Sequence, residues 1–144
     1  MRNKLHGYGI KEDNPQKKAR RNRIKRLFIG TTLGMVGRIS TSVLQSFMLH
    51  HPSEAPLINT IKAQGSEYSL GLFAYSFIVG LAESITPNFA QKHLYALRLM
   101  AGVLPILADA ILESGLLLPA DPQIKREVLA TTLGVLTGFI IERF

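Results

Sequence analysis

The feature that most constrains this chain is the junction between a basic segment, Lys17 to Arg26, and the apolar block Leu27 to Leu49. Seven of the ten residues in the basic segment are Lys or Arg. The apolar block is 23 residues long, and a helix of about 20 residues is enough to cross the hydrocarbon core of a bilayer. A basic flank directly before such a block is typical of a first transmembrane helix. The sequence therefore predicts an integral membrane protein.

Three more apolar blocks follow, so we expect an all-α fold, a polytopic bundle of four transmembrane helices. The predicted spans cover residues at about 27–49, 70–86, 94–118 and 127–142. The fourth is short, and it needs shelter from its neighbours or a locally thinner bilayer. Residues 1–26 are expected to form a partly disordered basic tail, and residues 27–144 the membrane domain. Good helix formers from Gln16 onwards allow the first helix to begin inside the basic segment.

The distribution of Lys and Arg predicts the orientation in the membrane. Ten of the seventeen lie in residues 1–26, and Lys62 is the only one between the first two predicted spans. Basic flanks stay in the cytoplasm, so we expect a multi-pass protein of the cytoplasmic membrane with both termini cytoplasmic. Lys125 and Arg126 count against this orientation because it places them outside.

The basic segment can attract two kinds of anionic partner. Beside a membrane anchor, each Lys or Arg near anionic headgroups contributes about 1 kcal/mol. Nucleic acid is the alternative, but the segment adjoins a span and contains no aromatic residue. We therefore predict membrane lipids as partners and no nucleic acid. The predicted headgroup contacts are Lys17, Lys18, Arg20, Arg21, Arg23, Lys25 and Arg26.

Four of the charged residues within the predicted spans are expected to form ion pairs. Arg38 lies eleven residues from each end of the first predicted span, and an unpaired charge at that depth costs several kcal/mol. In an antiparallel arrangement Asp109 reaches a similar depth, and Glu83 lies near the depth of Arg98. We therefore predict two ion pairs, Arg38 with Asp109 and Glu83 with Arg98.

The third predicted span carries a polar seam. Arg98, Gly102, Pro105, Asp109 and Glu113 recur at steps of three or four residues, which places them on one helix face. This face either lines a polar pocket between the helices or supplies ion pairs that set helix register, and the sequence favours neither over the other.

Two glycine pairs predict close helix packing. Gly30 and Gly34 in the first span, and Gly134 and Gly138 in the fourth, are four residues apart, a spacing that lets helix backbones approach. We expect these two spans to pack against each other within one chain, with dimerisation as the second possibility.

The sequence does not specify an enzyme, and the prediction leans against catalysis. The chain has no Cys, which excludes disulfides and thiolate metal sites. His50 and His51 are adjacent and so do not share a helix face, and the common nucleophile, phosphate-loop and zinc-protease motifs are missing. We predict no metal and no cofactor.

The last third of the chain resembles the VanZ-like family of small polytopic bacterial membrane proteins. The resemblance lies in LRLMAGVLPILADAILESGLLLP and KREVLATTLGVLTGFI. In the second of these, Glu127, Gly134 and Gly138 fall on the family's closing pattern, although Glu127 stands where Asp is usual. Asp109 and Glu113 lie near its upstream acidic position. The resemblance implies a role in the bacterial cell envelope without a defined reaction.

Three functions are compatible with these features. The first is a VanZ-like envelope protein that binds a lipid-linked or small cationic ligand in a polar seam between helices. The candidate ligand-binding residues are Arg38, Asp109, Glu113 and Glu127. The second is a non-catalytic structural subunit of a larger membrane assembly, or a homo-oligomer. The third is a transport or channel component, for which four spans require oligomerisation.

Overall fold

The computed structural model describes residues 14–50, 56–113 and 124–144. The regular structure within these ranges is entirely helical, which confirms the all-α prediction. Its helices are α1 (Pro15–His50), α2 (Pro56–Ile85), α3 (Pro87–Lys92), α4 (Leu94–Glu113) and α5 (Ile124–Arg143).

Three stretches of helix within the described ranges are long and apolar enough to cross a membrane. They are Pro15–Phe47, Gln64–Ile85 and Leu94–Leu112. They correspond to the first three predicted spans, and the second begins earlier than expected. Helix α5 covers the fourth predicted span but is not among these candidates.

Helix α1 runs through the expected boundary at residue 27 without a break. Pro15 suits the first helical position because it has no amide hydrogen to leave unpaired. The Asn14 side chain accepts a hydrogen bond from the backbone amide of Gln16 at 3.0 Å. The basic segment is thus the first part of a long helix, as the helix formers from Gln16 indicated. Residues 1–13 of the predicted tail lie outside the described residues.

Helix α2 is the centre of the bundle, and both glycine pairs pack against it. A Cβ on Gly34 of α1 would lie 2.6 Å from the backbone nitrogen of Phe73, and one on Gly134 of α5 would overlap the carbonyl oxygen of Tyr68. The expectation that α1 and α5 pack against each other through these glycines is therefore corrected: apart from the approach of Gly30 to Ile141, the four glycines contact α2. Small residues let two helices approach the same central helix from different sides.

The glycine contacts also give the helix directions. Along α1, the residues that face α2 run from Gly30, beside Ser76, to Gly37, beside Ser69, so α1 and α2 are antiparallel. Along α5 the order is the same as in α2, because Gly134 meets Tyr68 and Gly138 meets Tyr75. Helix α5 is therefore parallel to α2.

The short helix α3 turns the chain so that α4 returns along the bundle. Gly102 of α4 faces Val135 of α5, and Ala101 and Pro105 are buried, so the face that carries the predicted polar seam points inward. The buried core is formed by Leu27, Tyr75, Val79, Ala101 and Val135.

The outward faces of the helices are also apolar. Phe28, Leu33 and Val36 of α1, for example, are more than half exposed. Lipid chains are as apolar as these side chains, so a membrane gives such faces a favourable surrounding. A small core and an apolar exterior fit the composition of the three candidate spans.

Candidate functional site

A polar groove lies between α1, α2 and α4, in the half of the bundle away from the basic segment. Its volume is about 440 Å³, and its charged lining residues are Arg38, Glu67 and Asp109. Apolar side chains such as Ile78 and Leu112 form the remaining walls. The groove combines two carboxylates and one guanidinium with a surface that can contact hydrocarbon.

Arg38 of α1 reaches across to the start of the span in α2. Its Nη1 donates hydrogen bonds to the Ser66 hydroxyl at 2.9 Å and to the Ser66 carbonyl oxygen at 3.4 Å. The same nitrogen lies 3.9 Å from Glu67 Oε1. Because the Arg38 side chain is 46% exposed, this is a long, open ion pair rather than a buried one.

Asp109 is held on the opposite wall by α5. It is buried, and its Oδ2 accepts a hydrogen bond from the Thr131 hydroxyl at 2.7 Å. Thr131 is itself fully buried against α2, where its carbonyl oxygen lies beside Gly71. A small residue at position 71 brings α5 close enough for Thr131 to reach Asp109.

The structure gives Arg38 and Asp109 different partners from those predicted. Both residues line the polar groove, which agrees with their expected depth, but Arg38 pairs with Glu67 and Asp109 bonds to Thr131. Depth in the membrane correctly indicated that Arg38 and Asp109 lie at a similar level. It did not indicate which helix lies nearest to each side chain, and that helix supplies the partner.

A second group of charges lies at the opposite end of the bundle, where α1 begins. The Glu142 carboxylate of α5 accepts hydrogen bonds from Arg98 Nε at 2.9 and 3.2 Å and a further, short one from Nη2. The Tyr75 hydroxyl donates to Glu142 Oε2 at 2.7 Å. The Glu142 side chain is fully buried. Three helices therefore meet at one carboxylate, and we call Tyr75, Arg98 and Glu142 the Glu142 network.

Glu83 of α2 binds α1 instead of its predicted partner Arg98. Its Oε1 lies 3.2 Å from Arg23 Nε, and its backbone carbonyl accepts a hydrogen bond from Arg20 Nη2 at 2.6 Å. The Glu83 side chain is buried. The predicted pair Glu83 with Arg98 is thus replaced by two other pairs, because α1 continues as a helix past the end of α2 and carries arginines to that level.

The basic segment presents two faces. Lys17, Lys18, Arg21 and Lys25 are exposed, whereas Arg20, Arg23 and Arg26 are half-buried. The half-buried arginines are three residues apart and continue into the buried Leu27, so they occupy the face of α1 that meets the bundle. Contact with headgroups therefore stays a prediction for the four exposed residues, whereas the three half-buried arginines face the bundle.

The two remaining predicted ligand-binding residues are Glu113 and Glu127. Glu113 is the last residue of α4, and its side chain lies outside the described residues. Glu127 is in the first turn of α5 and is half-buried, but it does not line the groove.

Sequence reasoning missed Glu67 and Glu142 as partners of the intramembrane arginines. For Glu142 a signal was present, because Gly134, Gly138 and Glu142 are spaced four residues apart and so lie on one face of α5. Glu67 was missed because it lies before the predicted second span, whereas α2 begins at Pro56 and so includes it.

Among the side chains that the structure describes, no group of three or more His, Asp or Glu residues could hold a metal ion. Comparison of the chain with protein-family models, with curated proteins and with solved structures gives no match.

Proposed function

We propose that this chain is a multi-pass membrane protein in which α5 is the fourth span, with both chain termini on the cytoplasmic side. The packing of α5 supports this. Gly134 and Gly138 contact α2 at Tyr68 and Tyr75, within its span Gln64–Ile85, so α5 shares its depth. Its 20 residues extend about 30 Å as a helix, the thickness of a hydrocarbon core.

As to its role, we propose that the polar groove binds a small cationic or lipid-linked ligand. The observation that carries this proposal is the position of Asp109, a buried carboxylate that lines a groove with Glu67 and one arginine. Two carboxylates against one guanidinium favour a cation, and the apolar walls favour a ligand with a hydrocarbon part. Intramembrane ionisable groups are functional candidates by default.

A VanZ-like relationship and a role in the bacterial cell envelope remain part of this proposal. They rest on the residue pattern from Glu127 to Gly138, in which the two glycines pack α5 against α2. The exposed side chains of Lys17, Lys18, Arg21 and Lys25 support contact with anionic headgroups, since they point away from the bundle at one end of it.

The experiment is a titration of the purified chain, in neutral detergent, with dodecyltrimethylammonium and with uncharged dodecanol. We expect the cation to bind more tightly than the alcohol. Asp109→Asn should weaken binding of the cation about tenfold or more, because an ion pair shielded from water contributes more than the roughly 1.4 kcal/mol that a tenfold change requires. Glu127→Gln is the matched control, since Glu127 does not line the groove, and it should leave binding unchanged.

Equal binding of the cation and the alcohol, or equal effects of the two substitutions, would count against a cation site in the groove. The thermal unfolding midpoint of each variant separates loss of binding from loss of the fold. The proposal is supported if Asp109→Asn leaves the midpoint unchanged and abolishes the preference for the cation.

A second candidate function is that of a subunit in a larger membrane assembly. The Arg38 side chain is 46% exposed within the first candidate span, and a charge that faces lipid is unfavourable. A helix from another chain would cover it. The size of the complex in mild detergent tests this, because a stable monomer that keeps its fold contradicts the assembly and leaves the groove proposal intact.

A further inference from the structure

A second cavity, which we call the arginine pocket, lies at the end of the bundle where α1 begins. Its volume is about 440 Å³, and its charged lining residues are Arg23, Arg26, Arg98, Glu142 and Arg143. Helices α1, α4 and α5 each contribute at least one arginine. The pocket therefore concentrates positive charge at the level of the basic segment.

Two of these arginines are neutralised and two are not. Arg23 pairs with Glu83, and Arg98 binds Glu142. Among the described residues, neither Arg26 nor Arg143 has a carboxylate within 4.0 Å. Arg26 Nη1 lies 3.5 Å from the Glu142 carbonyl oxygen, and the Arg143 guanidinium stacks 4.7 Å from the centre of the Phe139 ring.

An anion with oxygens in a fixed arrangement suits this pair of guanidinium groups. Arginine presents its N–H donors as a planar fork that matches phosphate, often with two hydrogen bonds per side chain. The excess of positive charge in a partly desolvated cavity favours one negative charge. A phosphodiester supplies that charge and those acceptors.

An apolar groove begins at the arginine pocket and runs between α4 and α5. Its volume is about 340 Å³, and Arg98 and Arg143 line both cavities. Its walls are apolar side chains, including Leu99, Val103 and Leu136. An occupant that fills both cavities needs an anionic head and a hydrocarbon chain.

We propose that these two cavities form one binding site for an anionic phospholipid. Its phosphate would bind Arg26 and Arg143, and one acyl chain would lie in the apolar groove. The site lies at the end of the bundle opposite the polar groove, so it does not depend on the ligand proposed there. It also differs from a general attraction of the basic segment to headgroups, because it uses α4 and α5.

The test uses the full-length chain in neutral detergent and native mass spectrometry with two lipids of identical chains, dioleoyl phosphatidylglycerol and dioleoyl phosphatidylcholine. We expect phosphatidylglycerol to bind about tenfold more tightly. The double variant Arg26→Gln/Arg143→Gln should lower the affinity for phosphatidylglycerol about tenfold or more, since it removes both charge-assisted contacts, and should erase the preference between the two lipids.

The matched control is Arg21→Gln/Lys25→Gln, which removes the same charge from two exposed positions of α1. At an ionic strength high enough to screen exposed charges, it should change the affinity less than about twofold. An equal loss in the two double variants would mean diffuse attraction and would overturn the site.

Blocking the apolar groove tests the acyl-chain part separately and does not rely on the arginine variants folding. Leu136→Trp places a larger side chain in the groove, so affinity for phosphatidylglycerol should fall about tenfold while the arginines remain. Glycerophosphoglycerol, the phosphodiester headgroup without acyl chains, should bind far more weakly than the lipid. If it binds as tightly, the occupant is a free phosphate compound. If Leu136→Trp has no effect, the groove holds no acyl chain, and either result overturns the lipid proposal.

Discussion

Arg98, near the start of α4, binds Glu142, near the end of α5, with Nε 2.9 Å from Oε1. This ion pair holds the start of one helix and the end of another at the same level. The pair of Arg23 with Glu83 lies at the same level, in the basic segment of α1. The end of α5 therefore lies beside the basic segment. The relationship fixes the direction of α5 independently of its hydropathy.

Removing the charge of Glu142 should destabilise the bundle strongly. Glu142→Gln leaves the Arg98 guanidinium without its counter-charge in a site where the glutamate side chain is fully buried. Breaking a buried pair in this way costs about 3–5 kcal/mol. Unfolding in mixed micelles, monitored by circular dichroism, gives the change in free energy of unfolding.

Tyr75→Phe is the control for the Glu142 network. It removes the hydrogen bond to Glu142 Oε2 but leaves the ion pair, so it should cost about 1 kcal/mol. If Glu142→Gln costs no more than Tyr75→Phe, the pair with Arg98 does not hold α4 to α5.

Gly34→Ala should push α1 away from α2. The added Cβ would lie 2.6 Å from the Phe73 backbone nitrogen and 2.7 Å from its Cα, and backbone atoms of a central helix cannot move independently. We expect a loss of about 1–3 kcal/mol from overpacking, measured by the same unfolding assay.

Gly102→Ala is the matched glycine substitution in α4. Its Cβ would lie 3.5 Å from Val135 Cγ1, an ordinary contact, and alanine is the better helix former. This variant should be as stable as the parent chain or more so. Equal losses in both glycine variants would show that contact with α2 is not the reason for glycine at position 34.

Thr131→Val should leave Asp109 without its hydrogen-bond donor. Valine has nearly the shape of threonine but no hydroxyl, and a buried polar group left unsatisfied costs about 1–3 kcal/mol. Thr132→Val, one residue further along α5, removes a hydroxyl that bonds to the Val128 carbonyl oxygen of its own helix. It should cost less than Thr131→Val, and the reverse order would contradict the role of Thr131.

Arg23→Gln should destabilise the junction of α1 with α2, whereas Arg21→Gln should not. Arg23 lies 3.2 Å from the buried Glu83 carboxylate, but Arg21 is exposed on the opposite face of the same helix turn. Substitution of exposed charges is usually within about 0.5 kcal/mol of neutral. Thermal unfolding midpoints of the two variants at equal ionic strength measure the difference.

Much of the fold follows from hydropathy and charge along the chain. The step from the basic segment to Leu27 predicted the first span. The residues of the polar seam from Arg98 to Asp109, spaced three or four apart, predicted the inward face of α4 correctly. Both signals lie within a single helix, so they can be interpreted without knowledge of the neighbouring helices.

The central position of α2 could not be predicted in the same way. Several of its contacts are made by small residues, which carry little hydropathy. Ser69 and Ser76 meet glycines of α1, and Gly71 meets Thr131 of α5. A glycine pair indicates that another helix packs closely against it, but it does not identify that helix. The same limit misassigned the partners of Arg38 and Arg98, because depth in the membrane does not identify the adjacent helix.

The central claim is a bundle whose helices cross the membrane four times, with its first and last residues on one side. The chain has no Cys, so single cysteines can be introduced at Lys18, at exposed Lys125 near the start of α5, and at Phe144. Labelling with a membrane-impermeant maleimide, in intact and in permeabilised cells, reports the side of each. We predict that Lys125→Cys is labelled in intact cells, whereas Lys18→Cys and Phe144→Cys are labelled only after permeabilisation. Labelling of Lys125→Cys and Phe144→Cys from the same side would contradict a membrane-spanning α5 and the account built on it.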